Sequence, residues 1–149
     1  MRKRFLRVVL AYFAAIAVTT VMACIAQTQF VLSRLIEAGA EIQPLLWVQS
    51  TLADIAGLGP GYGLIIAAAL LAGFAACTAL QRFTRLPDLP IFTAAGAAAL
   101  LTALLLIKAV TGIMPIGGAR TTLGLLVQAA IGGGGGALFC WLKGRRDQR

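Results

Sequence analysis

Two basic side chains and a glycine turn have the residue types and spacing that favour binding chemistry. Lys108 lies near the end of one apolar run, and Arg120 lies just before the next. Thr121 or Thr122 can cap the following helix. Free backbone N–H groups at a helix start, together with arginine and lysine, suit a phosphate or carboxylate. We therefore expect an anion or a lipid headgroup to bind at Lys108, Gly117, Gly118, Arg120 and Thr121.

A structural role for the same two charges is the alternative. The Lys108 side chain can extend along its helix until the ammonium group reaches the membrane surface. Arg120 can form an ion pair with an acid on the same side of the membrane. The acids available there are Glu37, Glu41 and Asp54.

The chain has few residues that could support catalysis or bind a metal ion. The chain has no histidine, which excludes histidine-ligated metal or haem and any Ser-His or Cys-His catalytic pair. The five acidic residues all lie outside the apolar runs, so a proton-driven transporter is disfavoured. We expect Cys24, Cys77 and Cys140 to fill apolar space and not to form disulfides. We predict no catalytic site, no metal site and no cofactor, and hence no enzyme.

The composition predicts a membrane protein. Hydrophobic residues make up 60% of the 149 and charged residues 12%, with a mean hydropathy of +0.90. About 20 apolar residues in a helix cross the hydrocarbon core of a bilayer. The runs that meet this length are 8–26, 61–80, 91–110 and 122–142. We predict an all-α, polytopic membrane protein in which residues 1–149 form one four-helix domain.

The placement of the basic residues predicts the orientation. Ten of the 13 lie before the first run, between the second and third, or after the fourth. They are Arg2, Lys3, Arg4, Arg7, Arg82, Arg85, Lys143, Arg145, Arg146 and Arg149. This positive-inside pattern places both termini in the cytoplasm, with the bacterial inner membrane as the expected location. Membrane lipids are the expected partners of these charges, and nucleic acid is not expected.

The segment between the first and second apolar runs is predicted to be helical. We expect the first run to be retained and not cleaved as a signal peptide, because it is longer than a signal core. Helical spacing continues beyond this run, and Pro44 is expected to end or restart the helix. Leu45, Val48, Leu52 and Ile55 then form an apolar stripe. This segment is predicted to be an amphipathic helix on the outer side that lies on the outer leaflet or closes the bundle, or alternatively a lid over a site between the spans.

Small residues in the spans predict close helix packing. Gly73 belongs to a strip in the second span, and five consecutive glycines at 132–136 belong to the fourth. Small residues four positions apart allow helices in lipid to approach closely. The alternative for the glycine run is a hinge or a ligand site. Gln128 is expected to join helices, or alternatively to line a polar path. The residues assigned to packing or pore lining are Gly73, Gln128, Gly132, Gly133 and Gly136.

These patterns favour a non-enzymatic role. We predict a structural or accessory subunit that forms a homo-oligomer or packs against a partner membrane protein. A channel or facilitator for a small neutral or anionic solute is the second hypothesis. A protein that binds lipid headgroups through the turn at Arg120 is the third.

Overall fold

The computed structural model describes residues 2–83, 87–113 and 116–144. Within these ranges the chain forms five α-helices and one short 3-10 helix. The helices are α1 (Arg2–Glu37), α2 (Pro44–Gly57), α3 (Gly59–Leu80), α4 (Asp88–Thr111) and α5 (Thr122–Gly144), and the 3-10 helix, called the 3-10 turn below, is Gly117–Arg120. Several residues used in the sequence predictions lie outside the described ranges: Arg85, Arg145, Arg146, Asp147 and Arg149.

Four helices, α1, α3, α4 and α5, are long and apolar enough to cross a membrane. Helices α3, α4 and α5 contain 22, 24 and 23 residues, against the ~20 that cross the hydrocarbon core. The fold is therefore all-helical and consistent with a multi-pass membrane protein. Helices α3, α4 and α5 lie within three residues of their predicted bounds at each end, whereas α1 is much longer than predicted.

Helix α1 continues well beyond the predicted first span, as the helical spacing of its later residues indicated. It contains 36 residues and ends in a left-handed glycine, Gly39, with φ of 93°. The Gly39 N–H donates to Ile36 O, and the Ala40 N–H donates to Leu35 O, both at 2.9 Å. This pair of bonds is the Schellman arrangement, which satisfies carbonyls at the end of a helix.

Helix α2 begins at Pro44, where a missing N–H costs no helical hydrogen bond. Its predicted apolar stripe does not face the bundle. Leu45, Val48 and Leu52 are 66%, 58% and 61% exposed, and only Ile55 of the stripe packs against the core. The bundle side of α2 instead carries a carboxylate, Asp54, which contacts α1.

The four long helices form a ring in which α1 packs against α3 and α5, and α4 packs against the same two helices. Neighbours in the ring are antiparallel. Along α1, for example, Tyr12 meets Ala67 of α3 while Thr20 meets the earlier Gly63. One end of the bundle therefore carries the start of α1 and α4 and the end of α3 and α5. We call it the basic end, because Arg7, Arg82 and Lys143 lie there.

The interior of the ring is filled by aliphatic side chains and one aromatic cluster. The largest fully buried side chains include Phe92, Ile66, Leu70, Leu100 and Leu104. Large apolar side chains also cover the outer surface, as Leu64 at 74% and Val110 at 78% exposure illustrate. An apolar exterior of this kind is unusual for a soluble monomer and suits contact with lipid.

Candidate functional site

The Gln128 side chain links three helices. Its Oε1 accepts a hydrogen bond from the Tyr62 hydroxyl of α3 at 3.0 Å, and its Nε2 donates to Ala23 O of α1 at 3.1 Å. Gln128 on α5 is 1% exposed and Tyr62 is 5% exposed. A buried amide needs both kinds of partner, and here it has one of each. The arrangement is that of a side chain that joins helices, the first of the two roles considered for Gln128.

The glycines of α5 lie where neighbouring helices approach most closely. A Cβ atom added to Gly132 would lie 2.6 Å from Gly96 O of α4, and one added to Gly136 would overlap Phe92 O. Gly133 also faces α4, where its Cβ atom would lie 3.2 Å from Thr93 O. These three positions form one face of a regular helix, and any side chain there would push α4 away.

Of the two remaining glycines of the run, one lies close to another helix and the other does not. Gly135 faces α1, where the Thr19 hydroxyl oxygen occupies the space of a Cβ atom, whereas Gly134 has no atom within 4 Å. Gly73 lies between α3 and α4, and a Cβ atom there would be 2.7 Å from the Ala99 Cβ. The glycine positions therefore distribute close contacts over three helix pairs.

Gly96 is a packing residue that the sequence prediction missed. It stands within an alanine-rich stretch, 94–99, in which every position looks small enough to pack. The one available signal was that glycine is the single departure from alanine in that stretch, at a position where alanine would suit a helix better.

The turn at residues 117–121 packs mainly against α1 and α5. A Cβ atom on Gly118 would lie 2.7 Å from the Gln27 Cα, and one on Gly117 would lie 2.9 Å from Val31 Cγ2. The close approach of the α1 backbone thus requires glycine at Gly118, whereas a side chain at Gly117 would have to displace the Val31 side chain. Both glycines pack against α1. The binding of an anion at this turn stays a prediction.

Thr121 caps α5, as its position before the helix indicated. Its Oγ1 accepts a hydrogen bond from the Gly124 N–H at 3.0 Å, which satisfies one of the free donors at the helix start. Arg120 and Lys108 are both exposed. Lys108 lies in the last turn of α4, whereas the main neighbours of the 3-10 turn are α1 and α5. A site that joins Lys108 to the other four residues stays a prediction.

Besides the hydrogen bonds of Gln128, a side-chain hydrogen bond joins α2 to α1. Thr28 Oγ1 donates to Asp54 Oδ2 at 2.7 Å and also lies 3.0 Å from Cys24 O. Thr28 is 2% exposed, so the carboxylate of α2 reaches a buried hydroxyl. This bond explains why Asp54 faces the bundle although the apolar stripe of α2 does not.

A groove of small residues runs along the outer surface between α3 and α4. Its volume is about 840 Å³, and its lining is almost entirely apolar. Gly73, Ala95 and Ala99 lie at its base, where the two helices touch. Most of the exposed lining residues are alanines: Ala68, Ala72 and Ala76 of α3, and Ala94 and Ala98 of α4. Larger side chains, among them Leu80 and Leu106, lie toward the two ends of the groove.

No protein-family model, curated protein or solved structure matches this chain. The candidate sites therefore depend on geometry alone. Over the described ranges, no group of three or more metal-ligating His, Cys, Asp or Glu side chains occurs. Cys24, Cys77 and Cys140 are free thiols.

Proposed function

We propose that this chain is a non-enzymatic integral-membrane subunit that packs through small-residue helix faces against a second copy of itself or a partner membrane protein. The α3–α4 groove supports this role most directly. It presents alanines at helical spacing on the outside of the bundle, where lipid chains would otherwise lie. Gln128 and the α5 glycines support the same role from inside, because they hold the bundle together as a rigid unit.

The physical basis is the way that helices associate in lipid. Lipid tails are as apolar as leucine, so no hydrophobic drive favours one helix against another. Association depends on contact area, and small residues increase that area because they let backbones approach. The α4–α5 contact at Gly96 and Gly132 already works this way within the chain. The α3–α4 groove offers a further surface of the same chemistry.

We further propose that both termini face the cytoplasm of a bacterial cell, with α2 at the outer side of the inner membrane. The positions of Arg2, Arg7, Arg82 and Lys143 at the basic end support this orientation. The exposed stripe of α2 would then lie against the outer leaflet. Reporter tags at the two ends test the orientation, and tags that report from opposite compartments would contradict it.

Filling the groove tests the assembly. In the double variant Ala72→Leu and Ala98→Leu, larger side chains occupy the space that another helix would use. We expect wild-type protein in mild detergent to give oligomers or a complex with a partner by native mass spectrometry, and we expect the double variant to shift toward the monomer.

The control is Ala130→Leu, which adds the same atoms to an exposed position of α5 outside the groove. It should leave the assembly unchanged. Wild-type protein that appears only as a lone monomer would contradict the proposal. Equal effects of the groove variant and the control would reject the groove as the surface involved.

A further inference from the structure

A second cavity, separate from the α3–α4 groove, opens at the basic end between α1 and α3. Its volume is about 660 Å³, within the ~300–1,000 Å³ typical of small-molecule sites. Val8 and Val9 of α1 form one wall, and Leu71 and Ala75 of α3 form the other. We call this cavity the basic-end crevice.

Three phenylalanine rings form the floor of the crevice. Phe74 and Phe139 stack with ring centroids 4.5 Å apart, and Phe92 lies 5.5 Å from each of them. All three side chains are buried and come from three different helices. The floor is therefore a closely packed apolar surface built by three helices.

The polar groups in the walls are already satisfied within the protein. The Tyr12 hydroxyl donates to Ala67 O at 2.6 Å, and Thr78 Oγ1 donates to Phe74 O at 2.7 Å. Both bonds use the single hydroxyl proton of the residue. Among the lining residues that the structure describes, the interior of the crevice thus offers no free hydroxyl donor, and it suits a hydrocarbon chain better than a sugar or a nucleotide.

The mouth of the crevice is cationic. Arg82 and Lys143 both line it, and both are exposed. Lys143 Nζ lies 5.0 Å from the centroid of the Phe92 ring, which holds the ammonium group over the floor. The acid nearby in the chain, Asp88, accepts a hydrogen bond from Gln81 Nε2 at 2.8 Å. Two cationic side chains therefore lie at the opening through which a ligand would enter the crevice.

We propose that the basic-end crevice binds an anionic phospholipid, with one acyl chain against the phenylalanine floor and the phosphate between Arg82 and Lys143. An apolar slot below paired cations complements such a molecule in both of its parts. The site lies at the opposite end of the bundle from the 3-10 turn, and it does not depend on the proposed assembly through the α3–α4 groove.

Native mass spectrometry of the full chain from mixed phosphatidylglycerol and phosphatidylcholine nanodiscs tests the headgroup half of the site. We expect wild-type protein to retain one phosphatidylglycerol molecule. The variant Arg82→Gln with Lys143→Gln should prefer phosphatidylglycerol about tenfold less. The matched control is Arg2→Gln with Arg34→Gln, which removes the same charge from exposed positions that do not line the crevice and should behave as wild type.

The variant Ala75→Leu tests the acyl-chain half, because it narrows the crevice from an exposed position without disturbing the floor. It should reduce lipid retention, whereas Ala130→Leu should not. Circular dichroism confirms that each variant is folded. Equal retention of the two lipids by wild type, or unchanged retention in either crevice variant, would overturn the proposal. Retention of a protein chain at the crevice in place of lipid would also overturn it.

Discussion

Gly96 of α4 and Gly132 of α5 lie backbone to backbone. A Cβ atom on Gly132 would be 2.6 Å from Gly96 O, and a Cβ atom on Gly96 would overlap Gly132 O. The contact is reciprocal, so neither glycine can be replaced without moving the other helix. Since helix contact area supplies much of the drive for association in lipid, this crossing is expected to contribute strongly to the stability of the bundle.

Replacement of Gly96 with alanine should therefore destabilise the protein. The added methyl group meets backbone atoms of α5, which cannot rotate away as a flexible side chain could. We expect Gly96→Ala to lower the free energy of unfolding by about 1–3 kcal/mol, the usual cost of overpacking. Unfolding with sodium dodecyl sulfate in mixed micelles, followed by circular dichroism, measures the change.

The matched control is Gly134→Ala in the same glycine run. Gly134 has no atom within 4 Å of the position of a Cβ atom, so the methyl group enters open space. Alanine also suits a helix better than glycine by up to about 1 kcal/mol, and the control should be neutral or stabilising. Similar losses at Gly96 and Gly134 would show that the close crossing of α4 and α5 does not account for the effect.

The hydrogen bonds of Gln128 should appear as an energetic coupling with Tyr62. We expect Gln128→Leu and Tyr62→Phe each to reduce stability by about 0.6–2 kcal/mol, the range for hydrogen bonds between helices in lipid. Because Tyr62 donates to Gln128, Tyr62→Phe should have little further effect once Gln128 is leucine. A double-mutant cycle in the same unfolding assay measures the coupling, and strictly additive losses would contradict it.

The approximate positions of the membrane helices and of α2 could be predicted from the sequence. Apolar runs near 20 residues and Pro44 at the start of α2 both act through local backbone chemistry. The continuation of α1 beyond its apolar run also followed from helical spacing, although the helix ends at Glu37 and not at Pro44. Such signals depend on neighbours in sequence, and they remain valid whatever the tertiary arrangement.

The helix faces that pack against each other in the bundle could not be predicted in the same way. In a bundle covered by lipid, apolar residues point both inward and outward, so hydropathy does not mark the interior. Gly96 was missed because alanines beside it fit the same pattern. Asp54 was considered as an ion-pair partner of Arg120, and its contact with α1 was not predicted. Its partner Thr28 lies 26 residues away in sequence, and no local rule connects the two.

The bond between Thr28 and Asp54 should hold α2 in place. Helix α2 has no buried residue, so few other contacts oppose its release. We expect Thr28→Val, which keeps the side-chain shape and removes the hydroxyl, to speed amide hydrogen exchange across residues 44–57 about five- to tenfold. Exchange in α3, α4 and α5 should stay unchanged. Hydrogen exchange with mass spectrometry measures both regions.

The control for this prediction is Ser33→Ala, also in α1. Ser33 is exposed, and its hydroxyl bonds only to Gln29 O one turn earlier at 2.8 Å. This variant should leave α2 as protected as in wild type. Faster exchange throughout the bundle in Thr28→Val would instead indicate that Thr28 supports the core, and no change at all would show that other contacts hold α2.

The cap of α5 at Thr121 separates the structural role of the 3-10 turn from the predicted anion site. Thr121→Ala removes the acceptor for the Gly124 N–H and should cost about 1 kcal/mol, with faster amide exchange at residues 122–125. Thr122→Ala, one position later and exposed, is the control and should have little effect. A second measurement tests the anion site. If an anion binds at the start of α5, added phosphate should slow amide hydrogen exchange at residues 122–125 in Thr121→Ala, because the freed Gly124 N–H can then donate to the phosphate. Exchange that is insensitive to phosphate in both variants would leave the turn with its structural role alone.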